Sequence, residues 1–223
     1  MFTGIITGRG LVQHVEALPG LSKFQIELPT GADLELKQGA SVAVDGVCLT
    51  VTEFKGRTAQ FDAMQETLRL TTLGSLQSGS EVNIERAAKD GAEVGGHAIS
   101  GHIDCTATIT AIDKPDNNWV VTFEVPPAWR KYIFQKGYVA LNGTSLTISG
   151  VDRAAGTFQV WFIPETLRLT TFGLKKVGDR INLEVERGTL VTVDTINHFL
   201  EDHFKGLAPL IEKLLAKSEA LPK

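Results

Sequence analysis

Residues 66–74, ETLRLTTLG, return as ETLRLTTFG at 165–173, with eight of nine identical at an offset of 99. Three further blocks repeat in the same order. VAVDGVCLTV at 42–51 matches VALNGTSLTI at 139–148 in five of ten positions, offset 97. VNIE at 82–85 answers INLE at 181–184, and Thr3-Gly4-Ile5-Ile6 answers Ser100-Gly101-His102-Ile103. Chance likeness between β-rich segments does not keep four blocks in order. The slip from 97 to 99 falls near Ala154-Ala155-Gly156, where a hairpin has lengthened. A period this long marks a duplicated domain rather than a solenoid, whose repeats run about 20–50 residues. The expected division is 1–97, 98–189 and a tail at 190–223.

Each copy reads as β-rich. SVAVDG and CLTVTEF carry β-branched residues in partial alternation, and Lys55-Gly56-Arg57 makes a hairpin tip before TAQFDAM. Gly46 and Gly143 read as turn glycines. About six short strands per copy fit a small closed barrel, which leaves no free sheet edge. Short helices are expected around Glu66–Thr71, Glu165–Thr170 and Ala128–Gln135. In the tail, Val193, Ile196, Leu200, Phe204, Leu207, Ile211 and Leu214 fall at helical steps of three and four. Gly206 and Pro209 should weaken or kink that helix. The stripe suits either packing on the chain's own barrels or an oligomer seam.

Charge and motif content narrow the chemistry. Lys and Arg total 22 against 26 Asp and Glu, a net −4, so nothing offers the cationic excess of a nucleic-acid binder. No run approaches roughly 18 apolar residues, and the N-terminus lacks the basic start of a secretory signal. Cys48 and Cys105 are far apart, which points to a reducing compartment and a cytoplasmic protein. For the same reason the sequon Asn142-Gly143-Thr144 is discounted. No dinucleotide fingerprint, P-loop, H-E-x-x-H or nucleophile elbow is present, so neither a metal nor a cofactor is expected. A duplicated barrel carries two equivalent pockets, suited to two similar ligands or two molecules of one. Thr50 and Thr147 agree between copies, as do Glu66 and Glu165, whereas Cys48 faces Ser145, Ile5 faces His102 and Met64 faces Ile163. His102 is an acid–base candidate beside the glycine that repeats Gly4. Cys48 has the alternative role of a small buried residue.

Taken together, MFTGI, DGVCLTVTEF, NIERA, GGHAISGHID, KGYVALNGTSLTI and IPETLRLTT resemble the riboflavin synthase family of the trimeric alpha-chain type, over about residues 1–190. The resemblance implies an all-β fold with a C-terminal helix: two tandem six-stranded antiparallel Greek-key barrels and a trimerising helix. It implies dismutation of two molecules of 6,7-dimethyl-8-ribityllumazine. A four-carbon unit passes between them, giving riboflavin and 5-amino-6-(ribitylamino)uracil without cofactor or metal. The site would lie between the N-terminal barrel of one subunit and the C-terminal barrel of its neighbour, with lumazine synthase as a further partner. By motif, the first pocket takes Gly4, Ile5, Ile6, Cys48, Leu49, Thr50, Asp62, Ala63, Met64, Gln65, Glu66 and Thr67. The second takes Gly101, His102, Ile103, Lys136, Ser145, Leu146, Thr147, Phe162, Ile163, Pro164, Glu165 and Thr166. The resemblance links His102, Ser145, Thr147, Cys48 and Phe2 to catalysis. Glu186 joins that catalytic set by resemblance; many relatives carry Asp there, and the Glu186 carboxylate stands one methylene further out. A non-catalytic lumazine- or flavin-binding antenna protein is the competing reading. Such proteins lose the polar groups of one pocket, and this chain keeps them in both. A purely structural β-barrel module is disfavoured by the matched pockets.

Overall fold

The computed structural model describes residues 1–116 and 118–205. The first copy holds β1 (Gly8–Leu18), β2 (Leu21–Glu27), β3 (Ser41–Val44), β4 (Val47–Lys55), β5 (Thr58–Met64), α1 (Gln65–Leu70) and β6 (Glu81–Arg86). They pair antiparallel in the order β1-β2-β5-β4-β3-β6, and β6 returns to β1 to close the barrel. Alternate residues point inward, so Val12, Phe24, Ile26, Phe61 and Ile84 fill the interior at no more than 1% exposure. The expected hairpin tip is a two-residue loop, with Lys55 paired to Thr58 and Gly56 at φ +59°.

The second copy holds β7 (Cys105–Asp113), β8 (Trp119–Glu124), β9 (Tyr138–Leu141), β10 (Thr144–Thr147), β11 (Gly150–Asp152), β12 (Thr157–Phe162), α2 (Pro164–Leu169) and β13 (Arg180–Val185). The order β10-β9-β13-β7-β8-β12-β11 is a seven-stranded sheet whose end strands β10 and β11 are not paired to each other, where a second closed barrel of six strands is expected; it is called the second barrel below for its likeness to the first. β10 and β11 are the two halves of the segment that forms β4 in the first copy. β4 is bulged at Thr52, and the matching position here opens into a break. Ile148 N–H still donates to Gly137 O at 3.0 Å and Ser149 N–H to Gln159 O at 2.9 Å, so each half keeps its neighbour. The four-residue loop between Asp152 and Thr157 replaces the two-residue tip of the first copy, which accounts for the slip in the repeat. α1 and α2 lie within a residue of expectation, and the segment Pro127–Tyr132 is a 3-10 helix.

The two copies meet through their tightest turns. Asp45-Gly46 joins β3 to β4, and Asn142-Gly143 joins β9 to β10, as two-residue turns with both residues at positive φ. A Cβ on Gly46 would lie 2.5 Å from Gly143 N, so the touching backbones leave no room for one. Around them, Asn83 Nδ2 donates to Asn142 O at 3.0 Å, while Asn83 Oδ1 accepts from Thr171 N–H at 2.7 Å. Asn182 repeats both bonds toward Asp45 O and Thr72 N–H, at 2.9 and 2.7 Å. A pseudo-twofold network of buried amides therefore joins the barrels, and the sequon residue Asn142 is fully buried within it.

One member breaks the symmetry. Asp45 stands where the second copy has Asn142, and burial pushes its carboxyl up to about 6, against the opposing pull of Lys175 and the Asn83 N–H. Well below pH 3.8 the group is neutral in both folded and unfolded chains. As pH rises toward 6 the unfolded chain ionises first, and stability falls. Asp45→Asn should remove this dependence. At pH 8 it should stabilise by up to about 3 kcal/mol, and at pH 4 by only about 0.5 kcal/mol. Urea unfolding at both pH values checks this; an equal effect at each would show that Asp45 does not titrate with folding.

Residues Met1–Glu186 form one compact unit, and α3 (Arg187–Lys205) belongs to a second. α3 starts three residues before the tail expected from 190. It exposes Val191, Ile196, Phe199, Leu200 and Phe204 at 43–60%. The remaining residues of the expected stripe, Leu207, Ile211 and Leu214, lie with Gly206 and Pro209 outside the described residues. No helix among the described residues is long and apolar enough to cross a membrane.

Candidate functional site

Two buried glutamates build the floor of the site. Glu85 on β6 accepts from Thr3 N–H and Thr3 Oγ1 through one oxygen, at 2.6 and 2.7 Å, and from Gly4 N–H through the other at 3.1 Å. Glu184 on β13 does the same for Ser100 and Gly101, at 2.7, 2.7 and 2.9 Å. Burial pushes the Glu85 carboxyl upward, and its three donors oppose that rise. These are the glutamates of the repeated NIE and NLE blocks. The repeat marked them, but their role as clamps depends on geometry.

The clamped segments then cross to the opposite barrel. Gly4 O accepts from Ser145 N–H of the second barrel, and Gly101 O accepts from Cys48 N–H of the first, both at 2.9 Å. Phe2 and Ile99 exchange backbone hydrogen bonds of 2.8 and 3.0 Å, and with Ala43 and Ala140 form a small core between the barrels. Ile103 packs on the first barrel's core, while Ile6 approaches Gly143 of the second. Grouping by copy had put Gly4, Ile5 and Ile6 with Cys48, and Gly101, His102 and Ile103 with Ser145. The structure brings Gly101 and Ile103 to Cys48, and Gly4 and Ile6 to the second barrel. Phe2 is 1% exposed beneath Gly101, so it can position the site without touching a ligand.

On the outer face of the second barrel a cleft of about 570 Å³ is lined by Lys136, Ser145, Leu146, Thr147, Ser149, Trp161, Ile163 and Thr166. Six of these are residues that the motifs single out. Lys136 holds φ +67°, where the first copy has Gly39 at +84°. A side chain kept in that unfavourable region at a cleft is a sign of function. The equivalent first-barrel positions Cys48, Thr50, Asp62, Met64 and Thr67 are half-buried or exposed. Ala63 and Phe162 point into the barrel interiors, and Phe162 meets Phe172 at 4.5 Å between ring centroids. The Glu66 and Glu165 carboxylates each receive two bonds from Arg69 and Arg168 of their own helices, which hold them below the usual range. Gln65 and Pro164 open those helices and are exposed, as are Ile5 and His102. Leu49 is buried.

Besides Ser149, two residues join the site that the motifs alone did not assign. His97 Nδ1 lies 2.6 Å from Ser145 Oγ, and its ring stacks on Tyr138. Burial lowers its pKa, while Glu184 and half-buried Glu186 pull it back up. Trp161 is the second. The offset of 99 that pairs Met64 with Ile163 also pairs Asp62 with Trp161, and that signal was open to the sequence. By contrast, the Cys105 thiol is buried and pushed up to about 12, first by burial and then by Asp104, which keeps it inert.

The cleft beside β10 can hold a flat polar ligand with hydroxyl and backbone groups at its edge, and Cys48 and Thr50 repeat its polar positions along β4. A family model described as the lumazine binding domain matches residues 3–87 and 100–186. The riboflavin synthase of Escherichia coli (strain K12) is 44% identical over 201 residues, covering 90% of this chain and 93% of that protein. The riboflavin synthase of Brucella abortus (strain 2308) is 44% identical over 195 residues, covering 84% and 94%. Among solved structures, LumP complexed with riboflavin superposes with a TM-score of 0.78 at 24% identity, covering 83% of this chain and 100% of that one. This last likeness carries the fold.

Proposed function

The chain belongs to the riboflavin synthase family, whose lumazine binding domain it carries twice, and from that premise we propose that it dismutates 6,7-dimethyl-8-ribityllumazine. One molecule gives up a four-carbon unit and leaves as 5-amino-6-(ribitylamino)uracil. The other receives that unit and becomes riboflavin. The observation that carries the reading is the pair of equivalent sites on one chain, with polar groups kept in both: Cys48 and Thr50 in one, Ser145 and Thr147 in the other. An antenna protein needs one such site; a reaction between two copies of one substrate needs two.

The chemistry asks for proton movement and alignment. A C7 methyl proton leaves one lumazine, and the resulting carbanion delocalises into its ring. A nucleophile adds to the other ring. Holding the two rings face to face can supply roughly 7–11 kcal/mol of the barrier. In this reading His102 moves protons, Ser145 and Cys48 supply polar groups at the reacting rings, and Thr50 and Thr147 bind ribityl hydroxyls. Phe2 and Glu186 act as positioning residues, Glu186 through the field it exerts on His97. The modules are 1–97, 98–189 and 190–223. The working site spans the first barrel of one subunit and the second barrel of its neighbour in a homotrimer joined by α3, whose exposed apolar residues support that role. The two free cysteines suit work in the cytoplasm, and lumazine synthase, which would make this substrate, is the natural associate.

Purified chain, treated with chelator and given no nucleotide, should convert the lumazine to riboflavin at one riboflavin per two lumazines consumed. Tight binding of the lumazine without turnover would instead establish the antenna reading.

A further inference from the structure

The lengthened hairpin of the second copy builds a pocket of its own. A cavity of about 130 Å³ lies between the loop after β11 and the 3-10 helix. Three cations line it, Arg130, Lys131 and Arg153, beside the apolar side chains of Val125, Ile133 and Val151. Among the described residues it shares none of its lining with the cleft around Ser145. Both walls are held in place. Arg130 Nε donates to Val125 O at 2.9 Å, and Gly156, which has no side chain, lets that guanidinium lie against the loop. Gly156 sits at φ +71° and donates its N–H to Asp152 O at 2.9 Å, which closes the loop. Asp152 also lines the pocket, but its Oδ1 is turned to the loop backbone, accepting from Ala154 and Ala155 N–H at 3.0 and 2.9 Å.

Arg130 and Arg153 keep donors unused. The ion pair of Arg130 Nη2 with Glu124 spans 3.6 Å, too long for a hydrogen bond. Arg153 lies over the Phe134 ring, 5.7 Å from its centroid, and among the described residues it pairs with no carboxylate. The first copy has the opposite balance. Asp33 and Leu34 stand at the positions of Arg130 and Lys131, and the cation of its hairpin tip, Arg57, is bound to Glu27 and Thr30. Two guanidinium forks on one small cavity match the oxygens of a phosphate, and the apolar side chains beside them suit the carbon atoms of an ester. We infer that this pocket binds a phosphate group, free or at the end of a small molecule, at a site separate from the reaction.

The test is calorimetric titration of the full chain, at constant ionic strength, with inorganic phosphate, phenyl phosphate and benzoate, each repeated with riboflavin present. One phosphate should bind per chain, and riboflavin should change its affinity by less than about threefold. Arg153→Gln removes one fork from an exposed loop and should weaken both phosphates about tenfold or more. Arg57→Gln, on the first copy, should leave both within about twofold. Phenyl phosphate tighter than inorganic phosphate would mark a phosphate ester as the occupant, and equal affinities would mark the free ion; either result supports the site. Displacement by riboflavin would place the anion in the cleft around Ser145 and overturn the proposal. So would benzoate as tight as phenyl phosphate, an Arg153→Gln protein within about threefold of wild type, or no saturable binding of either phosphate.

Discussion

Asn83→Ala should destabilise the chain by about 3–5 kcal/mol. The side chain is fully buried and both of its ends are used. Its loss leaves Asn142 O without the donor at 3.0 Å and Thr171 N–H without the acceptor at 2.7 Å, both in the interior. Each orphaned buried group costs about 1–3 kcal/mol, and the vacated volume adds to that. Asn83→Asp should give no rescue, because it keeps the acceptor, loses the donor and adds a buried charge. Asn182→Ala should cost a similar amount, since it holds the mirror-related bonds. Urea unfolding followed by tryptophan emission measures all three. A loss below 1 kcal/mol for either alanine variant would mean that the amide network is not what joins the barrels.

Gly4→Ala should lower turnover at least 100-fold, about 2.7 kcal/mol of barrier. The new Cβ would lie 2.4 Å from Ser145 Cβ and 2.8 Å from Ser145 N, at a residue whose φ is +79°. Something must shift, and what lies in contact is the backbone that holds Ser145 in the cleft. The Ser145 N–H bond to Gly4 O breaks, and the 2.6 Å contact between Ser145 Oγ and His97 moves with it. Gly56→Ala separates crowding from backbone strain. Its φ is +59°, but nothing lies within 4 Å of the added carbon. It should cost about 1 kcal/mol of stability and leave turnover intact. Steady-state rates on the lumazine decide the matter, and a Gly4→Ala enzyme within threefold of wild type would detach this contact from catalysis.

Much of this architecture is local and so was written in the chain. The repeat fixes two like strand orders, because similar strands with similar turns pair alike; only the first copy's ladder closes on itself. Asp45-Gly46 and Asn142-Gly143 announce their two-residue turns, since few other pairs accept two positive φ values. The ETLRL blocks give two short helices after β5 and β12, and the steps of three and four in the tail give α3. The first barrel's split counterpart was less legible. Whether a bulge stays a bulge, as at Thr52, or opens into a break at Ile148-Ser149 depends on the curvature of the whole sheet.

The sequence by itself determined the duplication, most strands of each copy and most of the polar residues around the cleft. Only the tertiary structure decided which copy each clamped segment serves. A motif at 3–6 and its twin at 100–103 look interchangeable along the chain. The hydrogen-bonded pairs Gly4–Ser145 and Gly101–Cys48 exist because the two copies dock turn against turn at Gly46 and Gly143. The same docking buries Asn83, Asn182 and Asp45, whose sequence neighbourhoods read as ordinary strand and turn. Period and turn chemistry act between residues near in sequence and can be read there. Contacts between residues 53 to 141 positions apart depend on how the two sheets meet, and no local pattern encodes that.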